Sequence, residues 1–303
     1  VPYPEYGEAT AKTLEYAYAD WCISRFAEAV GEKKVSEAYR QRAFNYRNLF
    51  NAKYGFVGSR NAAGKWNEAF DATEWGGPFT EGSSWHYTWS VMHDPEGLSR
   101  LMGGHEKMAF MLDSMFRAPN TFKVGTYRSV IHEMAEMAAF HMGQFAHGNQ
   151  PVQHAIYLFD YVGKPWRGQY HVRQVMDKLY NPGPKGYCGD EDNGQTSAWY
   201  VFSALGFYPV CPGTGEFALG SPLFKTAVIS LENGKKFEVK ASGNGSKNVY
   251  VDAAALNGAD YTRNFITFKD ISQGGVLELK MSDCPNTMRG VGKMDFPYSL
   301  SEK

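Results

Sequence analysis

The spacing of apolar residues changes at Pro209, and this change is the strongest constraint on the fold. Before Pro209, apolar residues recur with the period of amphipathic helices. After it, short runs rich in β-branched and aromatic residues are separated by the hairpin dipeptides Asn233-Gly234 and Asn257-Gly258. We therefore predict a mainly α protein with a β appendage: a helical domain over residues 1–208 and a small antiparallel β-sandwich over residues 209–303.

Helical periodicity and Gly/Pro punctuation set the expected elements. We expect helices at residues 10–30, 35–50, 85–93, 95–102, 106–116, 127–144, 151–162 and 167–179, and one after residue 195 that ends at Gly206. We expect strands at 227–231, 237–241, 248–251, 264–268 and 276–281. Paired helices with long loops, such as residues 54–79, favour part of an (α/α)6 toroid, although pairing alone fits many all-α folds.

Composition and charge exclude several classes of protein. The chain of 303 residues has a net charge of -1 and no basic run, which argues against nucleic-acid binding. No apolar segment is long enough to span a bilayer, and no signal peptide is evident. The 4 cysteines follow no CxxC pattern, so a zinc site is not expected. The opening in a proline-containing loop without Met is interpreted as a mature or excised piece.

An acidic loop containing Asp190, Glu191 and Asp192 leads directly into the last predicted helix. The positive end of the helix macrodipole keeps such carboxylates ionised. An ionised carboxylate suits a general base or a cation ligand better than a proton donor. The commoner role is a solvated capping loop, with Asp192 or Asn193 as the helix cap.

The helix after this acidic loop is predicted to be amphipathic. Ala198, Val201, Phe202 and Leu205 recur at helical spacing and mark one apolar face. Gly206 is placed to end the helix, because a glycine readily adopts the left-handed conformation of a helix terminus.

Glu81 lies in a Gly-bounded turn flanked by large rings, among them Trp75 and Trp85. Partial desolvation in such a turn would favour the protonated carboxyl and prepare it as a general acid. The alternative is a glutamate that caps a helix near Ser83 and Ser84.

His132 and Glu133 are neighbours on a predicted helix, where adjacent side chains diverge by about 100°. Residue 136 is Glu, so the pattern is not HExxH and a zinc peptidase is rejected. The default interpretation of His132 is a buried histidine with satisfied hydrogen bonds.

Asn149 and Gln150 precede a helix that starts with Pro151. Their amide and backbone carbonyl oxygens, with a carboxylate, are typical Ca²⁺ ligands, and plain helix capping is the alternative. A carboxyl in an aromatic turn, a carboxylate pair on a helix-start loop and these oxygen donors are together consistent with a glycosidase. Glycoside hydrolysis needs one protonated and one ionised carboxyl across the scissile bond.

These stretches resemble the calcium-dependent exo-α-mannosidases of glycoside hydrolase family 92. The most specific one is Gly-Asp-Glu-Asp-Asn-Gly-Gln-Thr-Ser-Ala-Trp-Tyr at residues 189–200, beside the motif around Glu81. The resemblance also covers residues 13–22, 75–89, 148–151, 186–209 and 219–224. It implies an exo-acting α-mannosidase that inverts configuration, with this chain as the C-terminal part of the catalytic region.

The resemblance also implies a role for each candidate residue. Glu81 matches the general acid that protonates the leaving oxygen. Asp192 matches the general base, with Asp190 as its partner or as an alternative base, and inverting pairs lie roughly 6.5–9.5 Å apart to admit water. Ca²⁺, held by Asn149, Gln150 and Asp192, would bind the O2 and O3 hydroxyls of the terminal mannose and help to distort its ring.

Substrate-binding roles are implied for His132, Glu133 and Trp85. The His132–Glu133 pair looks like the pair that contacts the leaving sugar in α-1,2-specific members, which favours an α-1,2 linkage. The substrate would be terminal mannose of a glycan such as an N-glycan. The resemblance further implies a periplasmic, cell-surface or secreted location in a bacterium.

Family members are longer, with an N-terminal β-sandwich and further barrel helices ahead of this region. We expect this N-terminal region, or self-association through exposed apolar surface, to supply a partner. Two other interpretations stay open. One is a non-catalytic mannose-binding or calcium-stabilised structural module. The other is a different α/α-toroid glycosidase, similar to trehalase or glucoamylase, that does not depend on calcium.

Overall fold

The computed structural model describes residues 1–301, which fall in two compact units. The first unit is Val1–Val152, and the second begins at Gln153. The predicted change from helices to strands is found at Phe207, where the first strand of the second unit begins. The two units therefore divide ahead of the helix-to-strand change, inside the region predicted as one helical domain.

The first unit is mainly helical. Its helices are α1 (Ala9–Ala29), α2 (Lys33–Arg42), α3 (Ser84–Tyr87), α4 (Pro95–Met102), α5 (His105–Arg117) and α6 (His132–Phe140), with α7 (Gln150–Gln153) at the boundary. Short 3₁₀ helices lie at Ala43–Leu49 and Gly125–Tyr127. The strands β1 (Phe50–Asn51) and β2 (Phe56–Val57) pair antiparallel.

Local signals fixed α4 at the predicted bounds. The Asp94 side chain accepts a hydrogen bond from the Gly97 N–H at 3.2 Å, and Pro95 occupies the first turn, where no N–H partner is needed. The helix ends at Gly103, whose φ of 95° is left-handed. The predictions for α1 and α5 are confirmed to within a residue or two at each end.

Three predicted helices are shorter than expected. The helix predicted at 35–50 passes into a 3₁₀ helix at Ala43, and the one predicted at 85–93 ends after one turn at Tyr87. The helix predicted at 127–144 begins only at His132, because Arg128 has a φ of 61°. Left-handed backbone interrupts a right-handed helix whatever the hydrophobic pattern around it.

The second unit opens with helical segments. A 3₁₀ helix covers Ala155–Val162, where an α-helix was predicted. The helices α8 (Pro165–Leu179) and α9 (Gln195–Leu205) confirm the predictions, and Gly206 ends α9 with a φ of 101°. The short α10 (Phe268–Ser272) and 3₁₀ helices at Pro212–Thr214 and Lys293–Asp295 lie among the strands.

The strands of the second unit form two sheets. They are β3 (Phe207–Tyr208), β4 (Glu216–Leu219), β5 (Thr226–Ser230), β6 (Lys236–Ser242), β7 (Tyr250–Leu256), β8 (Ala259–Asp260), β9 (Phe265–Thr267) and β10 (Gly275–Ser282). One sheet has the order β5-β6-β10-β7-β8 and the other the order β3-β4-β9. The prediction of a purely antiparallel sandwich is wrong, because β10 pairs parallel with β6, with Leu277 opposite Val239.

Side chains from both sheets share one hydrophobic cluster. Phe237 and Leu277 of the five-stranded sheet belong to it together with Leu219 and Ile266 of the three-stranded sheet, and all four are almost fully buried. The predicted fold class, helix-rich with a β appendage, is thus confirmed. The assignment of the helices to an (α/α)6 toroid stays a prediction.

Candidate active site

The Glu81 turn belongs to the first unit, and both the backbone N–H and the backbone carbonyl of Glu81 are hydrogen-bonded. The Glu81 N–H donates to the Tyr127 hydroxyl at 2.7 Å, and the Glu81 carbonyl accepts from the Asn149 side-chain amide at 2.7 Å. The backbone of Glu81 is left-handed, with a φ of 44°. Such a conformation costs about 1–3 kcal/mol and persists where surrounding contacts enforce it. The two hydrogen bonds supply that enforcement.

The side chain of Glu81 is exposed. Partial desolvation of its carboxyl by neighbouring rings stays a prediction. The large rings of the motif point into the core: Trp75 and Trp89 have no exposed surface. The rings of this motif are thus buried, whereas Glu81 itself is exposed.

His86 connects the Glu81 turn to the core. Its Nδ1 accepts from the Ser83 N–H at 2.9 Å, so the ring proton lies on Nε2, which donates to the Gln144 carbonyl at 3.1 Å. The ring is buried and meets Trp75 edge-on, with centroids 4.8 Å apart. Burial lowers the pKa of His86 to about 4, so the imidazole is neutral at pH 7.

Trp85 is half-buried rather than fully exposed. Its indole packs against Phe56 in an edge-to-face arrangement, with ring centroids 4.7 Å apart. The predicted substrate contact is thus an anchored ring that keeps part of its surface in solvent. An anchored aromatic ring can contact a sugar with little loss of side-chain entropy.

His132 lies at the start of α6 and is exposed, so the default expectation of a buried histidine is wrong. Its Nε2 lies 3.1 Å from a Glu133 carboxylate oxygen and its Nδ1 lies 3.0 Å from a Glu136 carboxylate oxygen. Although adjacent positions diverge by about 100° around a helix, the side-chain tips of His132 and Glu133 meet. The three side chains form a polar cluster of one ring and two carboxylates.

Asn149 is buried and both ends of its amide are engaged. The nitrogen donates to Glu81, as described above, and Oδ1 accepts the Gln150 N–H at 3.1 Å. The orientation of Oδ1 is therefore fixed, with one lone pair left for a further donor or cation. Gln150 begins α7 and is partly exposed. Amide oxygens of this kind suit Ca²⁺ as ligands.

The acidic loop belongs to the second unit and does not cap α9 as predicted. The residue before the helix is Gly194, with a φ of 100°, and Asp192 and Asn193 also have left-handed backbone, with φ values of 57° and 54°. The Glu191 carboxylate accepts from the Gly194 N–H at 2.8 Å and from the Ser197 hydroxyl. These hydrogen bonds lower the pKa of Glu191. The side chain that binds the start of the helix is therefore that of Glu191, not that of Asp192 or Asn193.

Asp190 is exposed and Asp192 is partly exposed. The Thr196 hydroxyl donates to the Asp190 carbonyl at 2.9 Å, and the Thr196 N–H donates to the Glu191 carbonyl at 3.1 Å. The first turn of α9 thus holds the backbone of the loop, while the carboxylates of Asp190 and Asp192 reach solvent.

The buried face of α9 is also different from the predicted one. Ala198 and Val201 are exposed, and Phe202 and Leu205 are only partly buried. The side that is buried carries polar groups with internal partners. It comprises Thr196, Trp199, Ser203 and Ala204.

Two residues that the sequence did not indicate position these loops. Tyr127 accepts from Glu81, as described above. The Gln153 side-chain nitrogen donates to the Thr196 hydroxyl at 3.4 Å, and the Gln153 backbone carbonyl accepts from the Trp199 indole at 3.0 Å. Neither belongs to a motif, and each is more than 40 residues from its partner. Only the folded chain brings them to their partners.

Within residues 1–301, no three His, Cys, Asp or Glu side chains come together in a metal-holding group. None of the helices in this part of the chain combines the length and the apolar character that crossing a bilayer requires.

Comparison with known proteins identifies the family. A model of the glycosyl hydrolase family 92 catalytic domain matches residues 1–283. The chain therefore belongs to glycosyl hydrolase family 92, and the resemblance of its acidic loop and Glu81 motif is confirmed as true membership.

Relatives of this chain include solved structures from Bacteroides thetaiotaomicron. A family GH92 inverting mannosidase from strain VPI-5482 is 65% identical with a TM-score of 0.89, covering 99% of this chain and 41% of that one. A family GH92 α-mannosidase in complex with mannoimidazole is 32% identical with a TM-score of 0.91, covering 99% of this chain and 40% of that one.

A protein from Arthroderma benhamiae is described as an uncharacterized secreted glycosidase. It is 28% identical over 316 residues, which cover 96% of this chain and 37% of that protein. The chain thus spans about two fifths of the length of the relatives that it matches.

Proposed function

We propose that this chain is the C-terminal part of the catalytic region of an exo-acting α-mannosidase that hydrolyses terminal mannose with inversion. The observation that carries the proposal is the 65% identity to an inverting mannosidase over 99% of the chain. The carboxylates that such a reaction needs are present on two loops with defined backbone, one in each compact unit.

Glu81 is proposed as the general acid that protonates the leaving oxygen. A proton donor works only when it is held close to the proper geometry. Tyr127 and Asn149 fix the backbone of Glu81 from both sides, and the carboxyl reaches solvent, where substrate would arrive.

Asp192 is proposed as the general base, with Asp190 as its partner or as an alternative base. The carboxylate of the third acid, Glu191, accepts hydrogen bonds from Gly194 and Ser197 at the start of α9. That engagement commits the Glu191 carboxylate to the start of α9 rather than to the removal of a proton from water. The water would attack the mannose ring on the face opposite the leaving group.

Ca²⁺ is proposed as the cofactor, with Asn149, Gln150 and Asp192 as residues that would hold it. The donors are of the types that Ca²⁺ prefers, amide oxygens and a carboxylate, and Asn149 Oδ1 keeps a lone pair after its bond to the Gln150 N–H. When bound, the ion would supply positive charge for the O2 and O3 hydroxyls of mannose and help to distort its ring.

His132, Glu133 and Trp85 are proposed to bind substrate, with His132 and Glu133 on the leaving sugar and a preference for an α-1,2 linkage. The support is the exposed His132 ring held against two carboxylates, which together offer several hydrogen-bonding groups to sugar hydroxyls. Trp85 would add an aromatic face.

The substrate is proposed to be a mannose-containing glycan such as an N-glycan, met outside the cytoplasm. A relative described as a secreted glycosidase supports a secreted, cell-surface or periplasmic location, and a Bacteroides relative at 65% identity supports a bacterial source. Because relatives are longer, a region corresponding to their remaining length is the proposed partner, with self-association as the alternative.

The test is mannose release from α-1,2-mannobiose by the chain, with calcium and then with EDTA. We expect EDTA to abolish release and calcium to restore it. Glu81→Gln and Asp192→Asn are each expected to reduce release about 10²–10⁴-fold. Glu68→Gln, at another exposed glutamate of the first unit, is the matched control and should leave the rate unchanged. Undiminished release by both carboxyl variants would sink the proposal, and release indifferent to EDTA would favour a trehalase- or glucoamylase-like enzyme.

A second candidate function is a non-catalytic mannose-binding or calcium-stabilised structural module. The observation that favours it is the coverage of about two fifths of the relatives' length. It predicts mannose binding with no release by this chain alone. Release that appears when the N-terminal remainder of a longer relative is added in trans would return the chain to the enzyme interpretation.

A further inference from the structure

A pocket of about 460 Å³ lies in the second unit, and no role proposed so far uses it. It is lined by three tyrosine rings, Tyr180, Tyr187 and Tyr200, and by residues 181–184 and 186 of the loop between Tyr180 and Tyr187. We call it the tyrosine pocket. Its volume falls in the range of pockets that bind small molecules, about 300–1,000 Å³.

The rings of the tyrosine pocket are arranged around Tyr180. The Tyr200 ring lies 4.7 Å from it at an angle of 38°, and the Tyr187 ring lies 6.1 Å from it, nearly perpendicular at 82°. Tyr180 also stacks on Trp199, which is completely buried, with centroids 6.0 Å apart. The cluster is therefore anchored to the core, while Tyr187 keeps 46% of its surface exposed. Rings fixed at different angles form the walls of a concave aromatic surface.

The loop that completes the pocket is held in one shape. The side chain of Asn181 accepts from the Gly183 N–H at 2.9 Å and donates to the Lys185 carbonyl at 3.2 Å. The Asn181 N–H closes the loop on the Gly186 carbonyl at 3.1 Å. Pro182 and Pro184 restrict the backbone further. A preformed wall lowers the ordering cost of binding.

The lining defines what the pocket can bind. None of the described residues that line it carries a charge at neutral pH, so a charged ligand would be desolvated without a counter-charge. Burial raises the pKa of Tyr180 well above its usual range, so its hydroxyl stays protonated. The pocket thus offers flat apolar faces together with neutral hydroxyl groups. A pyranose has the matching surface, with an apolar C–H face and a rim of hydroxyls.

We propose that the tyrosine pocket binds a pyranose ring of a neutral glycan, as an additional carbohydrate subsite. The occupant is identified as a further mannose unit of the substrate, which rests on the proposed function. The position in the chain supports this, because Tyr187 precedes Asp190 of the acidic loop by three residues. A sugar held there contributes binding energy remote from the reacting bond.

The test is protection of Tyr187 from nitration by tetranitromethane, read residue by residue by mass spectrometry. The Asp192→Asn variant is used with an α-1,2-linked mannotriose, so that the ligand persists and a third mannose unit is available for the pocket. At about ten times Kd, roughly one pocket in eleven is empty, so nitration of Tyr187 should fall about ten-fold. Tyr6 and Tyr16, which are 59% and 55% exposed, are internal controls and should react at the same rate with and without ligand. An unchanged rate at Tyr187 would overturn the proposal.

Variants at Tyr200 separate the pocket from the acidic loop. Tyr200→Phe keeps the ring and should keep the protection of Tyr187. Tyr200→Leu keeps apolar volume without a flat ring and should lose it, whereas Val201→Ala, at the exposed neighbouring position on α9, should not. Full protection in a folded Tyr200→Leu variant would also overturn the proposal, because the sugar would then shield Tyr187 from somewhere else.

Mannose release, measured in parallel on the unaltered chain, separates this inference from the proposed function. Protection that depends on Tyr200 without release leaves the subsite standing and the enzyme proposal failed. Release without protection of Tyr187 leaves the enzyme proposal standing and overturns the subsite.

Discussion

The Glu81 turn and the acidic loop, here called the Asp192 loop, place their carboxylates by different means. Glu81 and Asp192 both sit on left-handed backbone, with φ values of 44° and 57°. The Glu81 turn is held by Tyr127 and Asn149, which are 46 and 68 residues away. The Asp192 loop is held mainly by its own neighbours, since Glu191 binds groups three and six residues further on.

The Glu81 turn therefore depends on tertiary contacts, whereas the Asp192 loop depends on local ones. The hydrogen bonds of the Asp192 loop can form whenever α9 forms. Those of the Glu81 turn require the first unit to be folded, because their donors and acceptors come from distant segments. Perturbing the first unit should therefore move Glu81 more than an equal perturbation of the second unit moves Asp192.

The largest effect is expected at Asn149. Asn149→Asp keeps an oxygen that can bind a cation but removes the N–H donor to Glu81 and sets a carboxylate against its carbonyl. An unsatisfied buried partner costs about 1–3 kcal/mol, so unfolding in urea should show a loss of that size. Mannose release should fall as well, even at saturating calcium. Stability equal to that of the unaltered chain would show that the amide does not hold the turn.

His86 gives the next largest effect, through pH. Its pKa is about 4 in the folded chain against about 6.5 unfolded, so the neutral imidazole stabilises the fold above pH 6.5 and that stabilisation is lost as pH falls. Between pH 7 and pH 5 the loss is about 2 kcal/mol. His86→Gln should be less stable at pH 7 yet lose about that much less on acidification, measured by urea unfolding at both values. An equal loss of stability in the unaltered chain and in His86→Gln would contradict the assignment of this pH dependence to His86.

Glu191 gives the smallest effect. Its pKa is lowered by hydrogen bonds from Ser197 and Gly194, so its contribution is present above its unfolded pKa and is lost as pH falls through the lower folded value. Thermal unfolding of Glu191→Gln should therefore depend less on pH below about 4.5 than that of the unaltered chain. The difference should be smaller than the one at His86, because the Glu191 carboxylate is solvated. A larger effect at Glu191 than at His86 would mean that the local contacts of the Asp192 loop contribute more to stability than the contacts of the Glu81 turn.

The features predicted correctly from the sequence are those with local causes. The bounds of α4 follow from Asp94, Pro95 and Gly103, and the hairpin between β7 and β8 follows from Asn257-Gly258, whose backbone is left-handed at both residues. Family membership likewise rested on continuous motifs.

The features missed depend on distant partners. The α9 face was assigned from its apolar residues, yet the buried side holds Trp199 and Ser203, whose polar groups find partners in Gln153 and Tyr157. A polar side chain is buried at low cost only when such a partner exists, and the partner lies more than 40 residues away. The parallel pairing of β10 with β6 is of the same kind.

The placement of β10 has a consequence for the order in which the second unit can be completed during synthesis. β10 is synthesised after both β6 and β7, yet it lies between them in the sheet. Until residue 282 has been made, β6 and β7 each lack the partner that pairs with them along six residues of the sheet register. A chain that stops before Gly275 would carry two open strand edges, each able to pair with another nascent chain.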